Sequence, residues 1–211
     1  MVTGPSESPT GLGTFATASA YTGVVDLFAR LEEEHALIEA VTIALDEFAQ
    51  SFEEGGTVNL HELIRFFTFL RGYADGLHHG REEAVLLPTL ALAGFSLESG
   101  PLAHIRDQHA EEGRLLLDIA KAACAQEPWA HPQILRVATV AHAFADFERS
   151  HMAKERELLF PFARKELAAH AKALASAVDR FESRAYRFGA GWLEQLGREL
   201  VAGHPSRRAR V

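Results

Sequence analysis

Along the chain, apolar residues recur at steps of three, four and seven. In DLFARLEEEHALIEAVTIALDEFAQSF, the residues Leu27, Leu31, Ile38, Val41, Leu45 and Phe48 fall on one stripe, the 3.6-residue period of a helix that buries a single face. The spacing predicts a first helix from about Asp26, closed by Gly55 and Gly56. A second helix is expected after Asn59, whose side chain can accept from the free amides of a first turn, and it runs to Gly94. Pro88 within it marks a kink or the start of a last loose turn, because proline lacks the amide its turn would use. A third helix is expected from about Pro101 to Ala123 and a fourth from about Pro132 to Leu167. The connections are short and hold Gly, Pro and Ser, which makes neighbouring helices antiparallel. The expected fold class is therefore all-α: an up-down-up-down antiparallel four-helix bundle with an additional C-terminal helix or helices.

The two ends read differently from the middle. Residues 1–22 are rich in Gly, Pro, Ser and Thr and have neither the basic start nor the apolar run of a secretory leader, so they are read as a flexible arm. Residues 23–167 carry the bundle, and residues 168–211 form a helical extension with a basic tail, SRRARV. The extension is helical in propensity and broken near residues 189–191. Its Phe181, Tyr186, Phe188 and Trp192 need a surface to pack against, so it is expected to cover one side of the bundle.

Composition narrows the function. A chain of 211 residues with 47% hydrophobic content can bury a sizeable core. The formal net charge of -8 excludes nonspecific binding to nucleic acid or an anionic membrane, which needs a positive surface. No window approaches the roughly 18 consecutive apolar residues of a membrane helix, so a soluble protein is expected. The single cysteine, Cys124, excludes an internal disulfide framework and a cysteine-rich zinc site, in keeping with a reducing cytoplasm. The metal-capable residues are instead histidines, of which there are eleven.

Several of these belong to a repeat. Residues 78–88 read HHGREEAVLLP and residues 151–161 read HMAKERELLFP. In each, a His is followed four residues later by a Glu and ten residues later by a Pro: His78, Glu82 and Pro88, then His151, Glu155 and Pro161. Four residues on a helix make about one turn, roughly 6 Å of rise, so each His and its Glu share a face and can reach inward to one point. A lone histidine precedes each copy, His35 in LEEEHALIEA and His109 in RDQHAEEGRL, at separations of 43 and 42 residues. That matched order is what a pseudo-twofold bundle needs to bring His35, His78, Glu82, His109, His151 and Glu155 to one level.

Six nitrogen and oxygen donors are too many for one tetrahedral zinc ion, and imidazole with carboxylate is the ligand chemistry of iron, manganese or zinc. Two carboxylates shared between two ions suit a two-metal centre, with metals about 3.5–4 Å apart and coordination positions left open for small ligands. Taken alone, either His-Glu pair reads as a surface hydrogen bond or ion pair, and the lone histidines read as members of charged faces. The duplication of the whole pattern carries the metal reading. A ferritin-like Glu-x-x-His also occurs at Glu32 to His35 and at Glu148 to His151, but on the first and fourth helices rather than the second and fourth. Further candidates for an extra ligand or an orienting partner are Glu39, on the His35 face, His79 and Glu83. On an α-helix His79 lies about 100° around from His78, toward a neighbouring helix or solvent. His61, His104, His131, His142, His170 and His204 fit no common face and read as structural or surface residues.

The two repeated strings, with His35 and His109 ahead of them, resemble the hemerythrin-like HHE cation-binding domain over roughly residues 23–167. The resemblance implies a non-heme diiron centre in a helical bundle. Glu82 and Glu155 would bridge two iron ions and the four histidines would complete the two ends, with manganese or zinc as substitutes. Oxygen-carrying hemerythrins are expected to have five histidines and two carboxylates, whereas four histidines fall in register here.

Three functions are compatible with that resemblance. The first is a diiron protein that binds or reduces dioxygen, peroxide or nitric oxide in an apolar pocket lined by Phe66, Phe67, Leu70, Phe144, Phe147 and Leu158, an oxidase or peroxidase if it turns over. The second is an iron, oxygen or redox sensor, or an iron-storage module, in which site occupancy changes the docking of the C-terminal helices. A purely structural metal bundle is the third. The expected partner is a small diatomic or peroxide ligand, not nucleic acid or a membrane.

Overall fold

The computed structural model describes residues 15–56, 59–124, 130–185 and 189–205. Residues 1–14 of the expected arm and 206–211 of the basic tail lie outside the described residues. Among those described, all regular structure is helical, and no helix is long and apolar enough to cross a membrane.

Helix α1 (Phe15–Glu53) begins within the span read as an arm. It ends at Gly55, whose φ of 87° a side chain would disfavour. Residues 60–92 then form one continuous helical run: α2 (Leu60–Phe69), a π-helical segment Leu70–His79, a second π-helical segment Glu82–Leu86, and α3 (Leu87–Leu92). Asn59 caps this run by accepting from the Glu62 amide at 3.2 Å. Next come α4 (Gly100–Ala123) and α5 (His131–Lys154), each with a proline in its first turn, where a missing amide costs least. A third π-helical segment, Glu155–Leu159, leads into α6 (Phe160–Glu166), a 3-10 turn Leu167–His170, α7 (Ala171–Ala185) and α8 (Ala190–Gly203).

Pro88 and Pro161 acquire their meaning here. In the turn before each, the Leu87 amide reaches back to the Glu82 carbonyl and the Phe160 amide to the Glu155 carbonyl, five residues rather than four. A proline ring crowds the carbonyl four residues behind it and donates nothing to it. The widened turn absorbs both effects without breaking the helix, so each metal-capable Glu opens a π turn that its proline closes.

Helix α1 packs on α5 and on the first π segment, while α4 packs on α5, on α2 and on that same segment, which closes a ring of four helical runs. Helices α7 and α8 lie against α1 and against the outer side of residues 60–92. The interior divides into two apolar clusters. A larger one contains Ile38, Leu45, Phe66, Phe69, Leu116 and Phe144, and a smaller one contains Leu31, Leu86, Leu90, Ile105 and Phe160. Between them lies a level of buried polar residues. Helix α1 meets the smaller cluster, the polar level and the larger cluster in that order, residues 60–92 meet them in reverse, and the alternation repeats in α4 and in the run from α5 to α6.

The six residues expected to line one apolar pocket do not do so. Phe66, Leu70 and Phe144 are sealed in the larger core, whereas Leu158 is 68% exposed. Leu158 lies on a surface groove of about 410 Å³ with Phe95, Leu102, Ile105, Leu159 and Phe162. The helical period assigns a face to each residue but not the partner across from it, which is why these residues separate.

Close approach of α8 depends on Gly197, where an added Cβ would come within 2.4 Å of the ring of Phe69. Phe69 is fully buried and cannot swing aside. Gly197→Ala is therefore expected to destabilise the protein by about 1–3 kcal/mol and to lower Tm by roughly 3–10 °C. At Gly113 a Cβ would meet nothing within 4 Å, so Gly113→Ala should raise stability by up to about 1 kcal/mol. Thermal melts of the two variants check the contrast.

Candidate metal centre

Four helical runs deliver the polar level. His35 comes from α1, His78 and Glu82 from residues 60–92, His109 from α4, and His151 and Glu155 from the end of α5 and the turn after it. All six are buried, none more than 4% exposed. His35 Nε2 lies 2.9 Å from His78 Nε2 and 3.0 Å from Glu155 Oε2. On the other side, His151 Nε2 lies 3.1 Å from Glu155 Oε1, and His109 Nε2 lies 3.2 Å from Glu82 Oε2. Glu82 Oε1 faces His78 Nε2 at 3.9 Å. Each carboxylate thus turns one oxygen toward the His35 and His78 end and the other toward the His109 and His151 end.

The donors fit a pair of cations. Two overlapping sets, His35 with His78, Glu82 and Glu155, and Glu82 with His109, His151 and Glu155, each have ligand atoms within 4.8 Å of one another. Both oxygens of Glu82, Oε1 of Glu155 and Nε2 of His109 and His151 are buried with no hydrogen-bond partner. Polar atoms left in that state are costly, and a cation placed among them would engage their lone pairs together.

Electrostatics of the bare side chains point the same way. Burial pushes the Glu155 carboxyl up, but the neighbouring imidazoles of His151, His109 and His35 overcome it and hold Glu155 well below the usual carboxylate range. Burial and the neighbouring Glu155 charge push Glu82 above that range. Burial opposes protonation of His78, yet Glu82, Glu155 and Glu34 together push it up to about 10. His109 is likewise pushed up to about 12 by Glu155, Glu82 and Glu83 against its burial. Protons compensate the buried carboxylates where cations could.

His79 is not where an α-helix would put it. The π-helical segment Leu70–His79 winds more residues into each turn, so consecutive side chains are closer in angle and both imidazoles face inward. His79 is 2% exposed, stacks on His109 with ring centroids 4.1 Å apart, and forms a further donor set with His109 and His151. That brings a fifth histidine to the level.

The partners behind the ligand atoms differ from expectation in one place. Glu83 accepts from His109 Nδ1 at 2.9 Å and so orients that ring. Glu39 instead turns outward and accepts from Arg156 at 2.9 Å. Glu34, which the sequence reading passed over, takes the inner position: it is 1% exposed, lies 3.2 Å from His78 Nδ1 and accepts from Arg30 and Arg81. Arg81 continues to Glu182 of α7 at 2.8 Å, and Arg30 to Glu194 of α8 at 2.5 Å. Glu112 and Glu148, also unremarked apart from the Glu148 to His151 motif, are fully buried one turn further toward the larger core. Three glutamates in a row before His35 offered no means of choosing Glu34, since only the position of His78 on another helix selects it. His142 stays outside the level, paired with Asp46 at 2.6 Å.

Removing Glu34 would leave Arg81 Nη1 and His78 Nδ1 buried without their acceptor. Glu34→Ala is expected to cost about 3–5 kcal/mol and roughly 10–100-fold in metal affinity, whereas Glu39→Ala should change stability by no more than about 0.5 kcal/mol. Denaturant unfolding and chelator competition measure both.

Residues 26–163 match the family model of the hemerythrin HHE cation-binding domain. No curated protein and no solved structure matches the chain significantly. The matched span takes in most of each of the four helical runs and every donor of the buried level, and the chain belongs to the hemerythrin HHE cation-binding domain family.

Proposed function

We propose that the protein is a non-heme diiron protein, an up-down-up-down four-helix bundle whose centre binds or reacts with a small oxidant such as dioxygen, peroxide or nitric oxide. The observation that carries this reading is the disposition of Glu82 and Glu155, each with one oxygen toward either histidine end. Bound there, two iron ions would supply redox chemistry and open coordination positions for the oxidant. His35 and His78 would hold one ion, His79, His109 and His151 the other, and the two carboxylates both. Five histidines and two carboxylates make up the donor count expected of oxygen-carrying hemerythrins. Glu34 and Glu83 fix the imidazole rings from behind, on His78 and His109. The alternating order in which the helices meet the two apolar clusters supports the bundle topology. Both clusters keep bulk water from the centre. The apolar surface groove reaches inward at Ile105 and Leu159, each four residues from a proposed ligand, and suits the approach of a small uncharged molecule.

A second reading, a sensor, is favoured by one chain of contacts. From His78 through Glu34 and Arg81 to Glu182, and from Glu34 through Arg30 to Glu194, the centre is tied to both C-terminal helices. Anaerobic reconstitution with ferrous iron followed by stopped-flow absorption separates the readings. A lasting adduct with oxygen indicates binding and multiple turnovers with peroxide indicate an enzyme. Inertness toward both would reject the oxidant reading and leave sensing.

Glu82→Ala and Glu155→Ala are each expected to weaken both ends, because each removes a shared ligand. Reconstituted with two equivalents of ferrous iron, wild type and His142→Ala should retain about two per chain, and the two Glu variants less than about one. Retention near two in both Glu variants would overturn the bridging assignment.

Stripping the metal should leave two carboxylates and five imidazoles crowded in an apolar interior. Hydrogen exchange is then expected to quicken in the π-helical segments Glu82–Leu86 and Glu155–Leu159 and to stay unchanged in α8. Equal protection with and without metal would count against a buried site.

A further inference from the structure

Glu112 and Glu148 are the two buried acids that the diiron centre does not use. Glu112 lies three residues after His109 on α4 and Glu148 three residues before His151 on α5, so both project one turn beyond the centre toward the larger core. Both are 0% exposed, and none of their four carboxylate oxygens has a hydrogen-bond partner. His79 Nε2 lies 3.3 Å from Glu112 Oε2. One ligand atom from each of His79, Glu112 and Glu148 falls within a common 4.8 Å.

Comparison with Glu34 shows what is missing there. Glu34 is equally buried, but Arg30, Arg81 and His78 surround it and its oxygens accept from both arginines. Among the described residues, no arginine or lysine pairs with Glu112 or Glu148. Two facing buried carboxylates with no arginine or lysine between them repel each other, and a cation among their oxygens would relieve that repulsion.

We propose that Glu112, Glu148 and His79 form a further divalent-cation site, adjoining the second end of the diiron centre. Two carboxylates balance the charge of one such ion, and with one imidazole they form the donor set of ferrous iron, manganese or zinc rather than of a soft cation. His79 belongs to this set and to that of His109 and His151. An ion held here therefore draws on a ring that the second iron also uses, and it binds more weakly than the pair. This coupling rests on the diiron reading, whereas the site itself does not.

Zinc is the probe, since it has no redox chemistry to confuse the count. Metal-free protein is brought to equilibrium by dialysis against a series of free zinc concentrations, and bound zinc is measured by elemental analysis. Wild type should take up two ions and then a third at higher concentration, while the double variant Glu112→Gln, Glu148→Gln should stop one ion short. Uptake of two ions by both proteins would overturn this site and leave the pair. Fewer than two in wild type, with one still lost in the double variant, would keep this site and sink the diiron reading. If the double variant does not fold, the wild-type crystal grown with zinc decides: an anomalous peak among the three side chains supports the site, and its absence at saturating zinc refutes it.

Discussion

Glu82 and Glu155 sit side by side at the middle of an otherwise apolar bundle, and the need to compensate their charge governs what surrounds them. Neither reaches water, and each raises the cost of ionising the other. Every helical run accordingly brings imidazole to that level, His35 from α1, His78 and His79 from the second run, His109 from α4 and His151 from α5. In the bare chain His78 and His109 compensate by holding protons, both being pushed up by the neighbouring carboxylates against their burial. Divalent cations would compensate better, because each engages several donors at once and does not require like-charged imidazolium rings to pack together.

The backbone is adapted to the same end. At both copies of the repeat, a π turn starts at the buried Glu and closes just before the proline. A regular α-helix could not accept Pro88 or Pro161 in its interior without losing a hydrogen bond and bending away from the core. The longer π segment ahead of His78 has no counterpart in α5, which stays α-helical through His151. The twofold pattern of the sequence is therefore broken in the structure at one point, and the excess on that side is a fifth imidazole. The asymmetry gives the two ends of the buried level different donor sets.

Beyond the ligands, the centre is connected outward unevenly. The His78 side runs through Glu34 into two arginines and from them to α7 and α8, where Arg81 also lies 5.0 Å over the ring of Phe181. The His109 side ends at Glu83, which is half exposed. The C-terminal helices therefore belong to the support of one end of the centre. They cover apolar surface, as Leu193, Leu196 and Leu200 enter the larger core, and they also supply the carboxylates that neutralise Arg30 and Arg81.

The sequence by itself determined what is periodic or repeated. Stripes at 3.6 residues marked four long helices, helical propensity marked an extension beyond them, and the doubled HxxxE with its proline and leading histidine selected six residues that the structure brings to one level. These features are local, because the step along a helix decides which side chains share a face. Tertiary structure decided the rest. Whether His79 faced in or out depended on a π segment that no spacing rule announces. Glu34 rather than Glu39 stands behind the centre because His78 arrives from another helix to meet it, while Arg156 draws Glu39 to the surface. Glu112 carries no signal in the sequence and Glu148 only its place in a Glu-x-x-His motif, and they become a buried pair only where α4 and α5 pack against each other. A helix specifies the direction of a side chain relative to its own axis, but the dielectric and the partners at the end of that direction are set by whichever helix lies opposite.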